Sequence, residues 1–459
     1  MSNLDSPPSI PEGLKREQIA VYQDIIRTVQ ARSKSFEIPH VVVITDIGKD
    51  YDDLTAILVL KELHRLGAIK LEGLIANLAP EHQRAHYARK VLDFLGLRDI
   101  PVGQGTRGEP VRKETNPPAA FEFPKEIMGE EPYTAQPNGL DLMQQLGANA
   151  LEGQYKLTFL LISSLQDITE FKRHLQPDPM SQVQPLKDIT SRVILQGAYH
   201  LESEPNAPPS NAPRYPLGHA VLKAEHVANN DWNRPDAEEF HAFLDQQSIP
   251  SVVYTRNAAF ETPLSNTIFK DLAATEQLLG VALYDIERLQ NLAFYAGACR
   301  TPPAYPGRDQ EWFLTNRSTF YDQNPLNTPE EDLPNPNSEH ILQYCKVIVY
   351  DALAALGTSG DDILDALDVL KKPRYADELV HSKLHRVVGI DLALYRKIAT
   401  ENNHTERGTS DQSSVSLAST NPEKMKNVIE ALLMGALLDS HCSSYIEHSR
   451  GFKDFPHTF

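Results

Sequence analysis

The chain has 459 residues and a mass of 51.4 kDa, with 41% apolar and 23% charged side chains, so a sizeable core is available and wholesale disorder is excluded. Acidic residues outnumber basic ones 62 to 44, a net charge of −18, which argues against nucleic acid or an anionic membrane as a partner, since both select for surplus Lys and Arg. No apolar run approaches the roughly 18 residues of a membrane span, the first residues lack a signal-peptide pattern, and Cys299, Cys345 and Cys442 are too widely spaced for a disulfide framework. The expectation is a cytoplasmic protein.

A polar, Pro-bearing lead-in, residues 1–38, carries one helix near Lys15–Gln30. The β-branched run His40–Ile44 then reads as a strand buried on both faces, followed by the polar turn TDIGKDYDD and by LTAILVLKELHRLG, a helix that Gly67 closes. Ile69–Ala76 reads as a second strand and Ala79–Leu97 as a second helix. Strand and helix alternating at this spacing predict crossover units and an open, mainly parallel (Rossmann-like) α/β sheet flanked by helices. Leu157–Ile162, Val193–Leu195 and Val252–Tyr254 continue the strand series, with a helix over Asp236–Gln247. Long loop insertions are expected at 107–140, 203–217 and 260–340. Residues 39–399 thus form a single domain, 400–420 a mobile polar segment, and 421–459 a C-terminal helix and tail packed on the domain.

The turn after the first strand holds Asp46, Asp50, Asp52 and Asp53, four carboxylates within eight residues. Helix capping accounts for one or two of them, Asp50 first. Four are too many for that, because two carboxylates ~5 Å apart repel by roughly 0.8 kcal/mol even in water. A hard cation would neutralise them, and oxygen-only ligation selects Ca²⁺ or Mg²⁺. An EF-hand is excluded by Gly48 at position 3 and Ile57 at position 12, and a P-loop by the Gly48-Lys49-Asp50 ending.

The segment VVVITDIGKDYDDLTAILVL resembles the D-x-G-x-D-D-A-x-A signature of the inosine–uridine preferring nucleoside hydrolase family, with two extra residues between Gly48 and the Asp52-Asp53 pair. Further segments follow in the family's order. GLIANLAPEHQRAHYARKVLDFLGLRDIPVGQGT is similar to its second strand, long helix and D-I-P-V strand, LTFLLISSLQDI to the G-P-L-T-N strand, VILQGAYH to the M-G-G-A strand end, ANNDWNRPDAEEF to the E-F-N segment, and VIVYDALAAL to H-D-P-L-A-V-A. The resemblance covers residues 38–260 and 340–357.

What the resemblance implies is a nucleoside hydrolase-like fold and hydrolysis of the N-glycosidic bond of ribonucleosides. It assigns a bound Ca²⁺ (Mg²⁺ in second place) to Asp46, Asp53, Asp351 and the Gln166 carbonyl, and makes Asp46 the base for a cation-activated water. Asp52, Asn77 and Asn229 or Asn230 would hold the ribose, and self-association into dimers or tetramers is the family's habit. Three positions depart from the pattern. Tyr350 stands where the family's leaving-group His lies, Val227 replaces its Glu, and Gln166 replaces its Thr, a change that a ligand role of the backbone oxygen alone accommodates. They leave two alternatives open: an inactive nucleoside- or sugar-binding relative, and a hydrolase of another N-ribosyl compound. Asp361 and Asp362 read as a helix-capping pair, His381 and His385 as a solvated helix face, and Trp312, Phe313, Phe320 and Tyr321 as loop anchors or base-stacking rings.

Overall fold

The computed structural model describes residues 8–32, 37–108, 119, 121–130, 133–175, 186–197, 199–203, 220–326, 328–336, 338–371, 384–389 and 415–439. Eleven strands are defined among them: β1 (His40–Thr45), β2 (Lys70–Ala76), β3 (Val102–Gln104), β4 (Leu157–Leu161), β5 (Thr190–Gln196), β6 (Tyr199–Ser203), β7 (Ala220–Ala224), β8 (Ser251–Tyr254), β9 (Leu370–Lys371), β10 (His385–Val388) and β11 (Val415–Thr420). Nine form one open sheet in the order β3-β2-β1-β4-β5-β8-β10-β11-β9, parallel throughout except for the short edge strand β9. This is the α/β class expected from the strand–helix alternation. β6 and β7 pair separately and antiparallel.

The sequence of β1 shows why the sheet is buried on both faces. Val41 and Val43 enter one apolar cluster, with helices Tyr51–Arg65, Asp351–Gly357 and Pro422–Leu438, while Val42 and Ile44 enter the other, with helices Gly139–Gly153, Gln166–His174 and Arg234–Gln246. Alternate side chains of a strand point to opposite faces, so a continuous apolar run is what a central parallel strand requires. Because neighbouring strands from β3 to β11 are parallel, their carboxyl ends share one edge of the sheet. That edge is where an open α/β sheet binds its ligands.

Three segments differ from their sequence reading. The stretch 260–340 is largely helical, and its longest helix, Leu278–Ala298, builds a third apolar cluster with Phe313, Phe320 and Ile341. Its prolines punctuate short helices rather than mark an open loop. The segment 400–420, expected to be a mobile tether, ends in β11, which pairs parallel with β10; residues 401–414 lie outside the described residues. His385 is not on a solvated helix. It is fully buried on β10, with Nδ1 2.9 Å from Ser251 Oγ, and burial pushes its imidazole down to about 4. His381 lies outside the described residues, as do 109–118, 120 and 131–132 of the first expected insertion, all of 204–217 and the tail 440–459.

The terminal helices close the first apolar layer. Helix Arg16–Ala31 buries Val21, Tyr22 and Ile25, and Gly435 lets helix Pro422–Leu438 approach so closely that a Cβ there would stand 1.6 Å from Tyr22 Oη. Beside that crossing Tyr22 Oη donates to Glu62 Oε2 at 2.6 Å, Lys61 Nζ donates to Glu62 Oε1 and Asp439 Oδ2 at 2.8 Å each, and Arg65 Nε donates to Glu62 Oε1 at 2.9 Å. Glu62 is fully buried, so deleting its carboxylate takes a charged partner from each of two cations and leaves the Tyr22 hydroxyl without its acceptor. Glu62→Ala is expected to cost about 3–5 kcal/mol of unfolding free energy, measured by chemical denaturation; a loss below about 1 kcal/mol, the range of a surface pair, would contradict this account.

Candidate active site

The acidic turn sits at the carboxyl end of β1 because Asp50 starts the next helix. It adopts an extended conformation, and its carboxylate accepts the Asp52 backbone N–H at 3.0 Å, the capping role expected of it. Asp53 faces back toward the strand. Its Oδ1 accepts from the Thr45 hydroxyl and from Asp46 N at 3.1 Å. Asp52 Oδ1 accepts Tyr350 N at 2.7 Å and Asp351 N at 3.1 Å, which ties the start of helix Asp351–Gly357 to the turn across 299 residues of chain. Tyr51 Oη reinforces the tie by donating to Ile348 O at 3.1 Å. Asp46, Asp53 and Asp351 are all buried.

These groups feel one another. Burial raises the carboxyls of Asp52, Asp53 and Asp351 well above the usual carboxylate range, and the charges of their acidic neighbours raise them further. For Asp351 those neighbours are Asp52, Asp53, Asp46 and Asp50, so five carboxylates from two distant segments share one field.

Two cations answer them. Lys49, inside the two-residue insertion, places Nζ 3.2 Å from Asp46 Oδ2 as an ion pair whose geometry is not that of a hydrogen bond, so Asp46 Oδ2 remains buried with no hydrogen-bond partner. Asp46, followed by Asp50 and Asp53, holds the Lys49 ammonium in its charged form. Nζ also lies 5.5 Å from the Trp232 ring centroid. The buried Arg84, which sequence reasoning missed, donates from Nη1 to the carbonyls of Asp46 (2.7 Å) and Ile47 (3.2 Å) and so fixes the turn's backbone. Gly48 is required in that turn, with φ +93° and a Cβ position only 2.6 Å from the Phe123 ring.

The other expected residues lie at the ends of neighbouring strands. Asn77 follows β2, wholly buried, donating to Asp167 Oδ2 (2.7 Å) and Ser164 O (3.2 Å) and accepting from Ser163 Oγ (2.6 Å). Gln166 opens the helix after β4, with its amide on Glu170 Oε1 at 2.8 Å. Asn229 donates to Gln196 Oε1 at 2.7 Å, at the end of β5, and Asn230 donates to Glu225 O at 3.0 Å. The turn and Tyr350–Asp351 are therefore brought together, while Asn77 bonds to the segment after β4, Asn229 to the end of β5, and Gln166 and Asn230 to residues near them in the chain. Asp361 ion-pairs with Arg192 and Arg386, and Asp362 with Arg32, which gives this pair structural work beyond capping.

In chemistry the turn suits a hard divalent cation: its donors are oxygens only, and Asp46 Oδ2 lacks a hydrogen bond. As the side chains stand, Lys49 is the cation Asp46 faces, and no three His, Cys, Asp or Glu side chains among the described residues are disposed around a metal position. No helix among the described residues is long and apolar enough to cross a membrane.

No protein-family model matches the chain, and no curated protein matches it in sequence. Solved structures do match. The effector protein XOO4466 aligns over 92% of this chain and 99% of its own, with TM-score 0.61 and 17% identity. The type III effector protein XopQ, solved complexed with adenosine diphosphate ribose, aligns over 92% and 100% with TM-score 0.63 and 17% identity. A purine-preferring ribonucleoside hydrolase from Gardnerella vaginalis aligns over 87% and 99%, with TM-score 0.46 and 13% identity. At such identities the likeness to the two effectors concerns the fold.

The raised carboxyls predict a pH dependence. A carboxyl whose native pKa exceeds its unfolded value of about 3.9 makes the native state the better proton binder, so stability falls as pH rises through that interval. With divalent ions chelated, the unfolding free energy should fall above about pH 4, and Asp53→Asn should flatten the fall; parallel profiles for variant and wild type would refute the buried-charge account.

Proposed function

We propose that this protein binds an N-ribosyl compound at the carboxyl edge of its sheet and hydrolyses the N-glycosidic bond to ribose and free base. The observation that carries the reading is the joining of the acidic turn to Asp351 through Asp52 Oδ1, which accepts Tyr350 N and Asp351 N, with Asp46, Asp53 and Asp351 all buried. The sequence resemblance to nucleoside hydrolases supports it, as does a fold shared with an effector crystallised with adenosine diphosphate ribose.

Asp46, Asp53 and Asp351 would hold a Ca²⁺, with the Gln166 carbonyl as a further donor. When bound, such an ion lowers the pKa of a water and supplies a nucleophile at neutral pH. Asp46 takes the water's proton through its unbonded Oδ2. Asp52 is already committed to two backbone N–H groups through Oδ1, which leaves Oδ2 for a ribose hydroxyl. Asn229, Asn230 and Asn77 lie at the strand ends and would complete the sugar's surroundings. Tyr350 would face the leaving base. Its oxygen accepts Arg317 Nη1 at 3.0 Å, so the phenol's own proton is free to be donated. Burial raises that phenol, and the Arg317 charge opposes the rise.

The second reading is a binding protein for a ribosyl ligand without turnover. It is favoured by the saturation of Asn77 with three structural hydrogen bonds. Inosine, uridine, adenosine, guanosine and adenosine diphosphate ribose, each incubated with the protein and Ca²⁺ and assayed for release of free sugar or base, separate the two. Release from at least one is expected, and Asp46→Asn should lower that rate by ~10²–10⁴. Calorimetric binding with no release anywhere in the panel would favour the binding protein.

A further inference from the structure

Arg317, Arg256 and Arg308 all come from the region between β8 and Tyr350, most of it beyond the sequence resemblance. Arg317 is 7% exposed. Its guanidinium reaches the Tyr350 hydroxyl and lies 5.9 Å from the Phe260 ring and 5.5 Å from the Phe294 ring, while its Nε has no hydrogen-bond partner. Phe260 packs edge-on against Tyr350 at 6.2 Å. Arg256 precedes Phe260 by four residues on helix Arg256–Glu261, so the two share a face. Arg308 covers Trp312 at 5.6 Å, and Trp312 packs on Phe294 at 6.1 Å, which returns to Arg317. Arg256 and Arg308 are exposed, and among the described residues none of these three guanidiniums makes an ion pair with a carboxylate. In a chain of net charge −18, three arginines without a carboxylate partner are set along one run of aromatic side chains that reaches Tyr350. Burial raises the Tyr350 phenol; of the neighbouring charges Arg317 lowers it, Asp52 raises it, and Arg256 and Arg308 lower it.

From the convergence of these arginines with the rings beside Tyr350, we infer an anion-binding subsite next to the acidic turn, for a ribosyl ligand that carries a negative charge. The inference rests on the ribosyl reading of the acidic turn. Carboxylates suit hydroxyls and repel anions, whereas guanidiniums pair with phosphate or an ionised heterocycle through forked, charge-assisted hydrogen bonds and stack on aromatic faces. Tyr350 stands at the border, adjoining Asp351 in sequence and Arg317 in space. The subsite therefore discriminates between neutral and anionic nucleosides that share one ribose position.

Calorimetry on the full chain with adenosine, adenosine 5′-monophosphate and xanthosine, whose base is largely ionised at neutral pH, tests this. At least one anionic ligand is expected to bind about ten- to a hundredfold more tightly than adenosine, with the advantage shrinking as salt rises. The phosphate alone gaining assigns the subsite to a phosphoryl group, and xanthosine alone gaining assigns it to the base. The double variant Arg256→Ala/Arg308→Ala, at exposed positions, should bring the ratio of anion to adenosine affinity toward one. Equal affinity for all three ligands, or a ratio unchanged in the variant, overturns the subsite and leaves the ribosyl reading standing. Binding of none of them overturns both.

Discussion

Like charge held out of water is the constraint around which the functional edge of this protein is arranged. Asp46, Asp50, Asp52, Asp53 and Asp351 share one field, and each would sit more comfortably in solvent than at the end of a buried strand. Four devices hold them there. Backbone N–H groups cap Asp50 and Asp52, the Thr45 hydroxyl serves Asp53, the Arg84 guanidinium grips the turn's carbonyls, and the Lys49 ammonium faces Asp46. Asp46 Oδ2 is buried without a hydrogen bond, and the Lys49 ammonium is the charge it faces.

The sheet is what brings the two halves of the cluster together. β1 delivers the turn, helix Asp351–Gly357 delivers Asp351, and their contact is written into Asp52, whose carboxylate receives the first N–H groups of that helix. One side chain thus joins segments 299 residues apart, and its alignment depends on both clusters of apolar side chains that clamp β1. The terminal helices matter for the same reason: the Tyr22–Glu62–Lys61–Asp439 network ties Pro422–Leu438 to the helix that begins with Asp52 and Asp53. On the other flank of Tyr350 the sign of the charge reverses, with Arg317 between the carboxylates and the aromatic helices that follow β8. Hydrogen-bond acceptors therefore stand on the Asp52 side of Tyr350 and donors on the Arg317 side.

The local pattern of residues was enough for β1, β2, β4, β5 and β8, since apolar runs of strand length bounded by polar turns admit few other structures. It was enough to single out the acidic turn, because four carboxylates in eight residues exceed what a helix cap uses. It failed for β10 and β11, whose polar composition conceals strands completed only by pairing with β8 and with each other. It also failed for the helices between 260 and 340, where prolines at helix boundaries imitate a loop.

By itself, then, the sequence determined the alternation of strands and helices, the place of the acidic turn and the family it resembles, because these depend on periodicity and on neighbours along the chain. Which cation faces Asp46, which backbone Asp52 caps, and which arginine meets the Tyr350 hydroxyl were decided by tertiary structure alone. Lys49, Arg84 and Arg317 look like ordinary solvated charges in the sequence. Burial and through-space distance give each its partner, and neither quantity is encoded in local spacing.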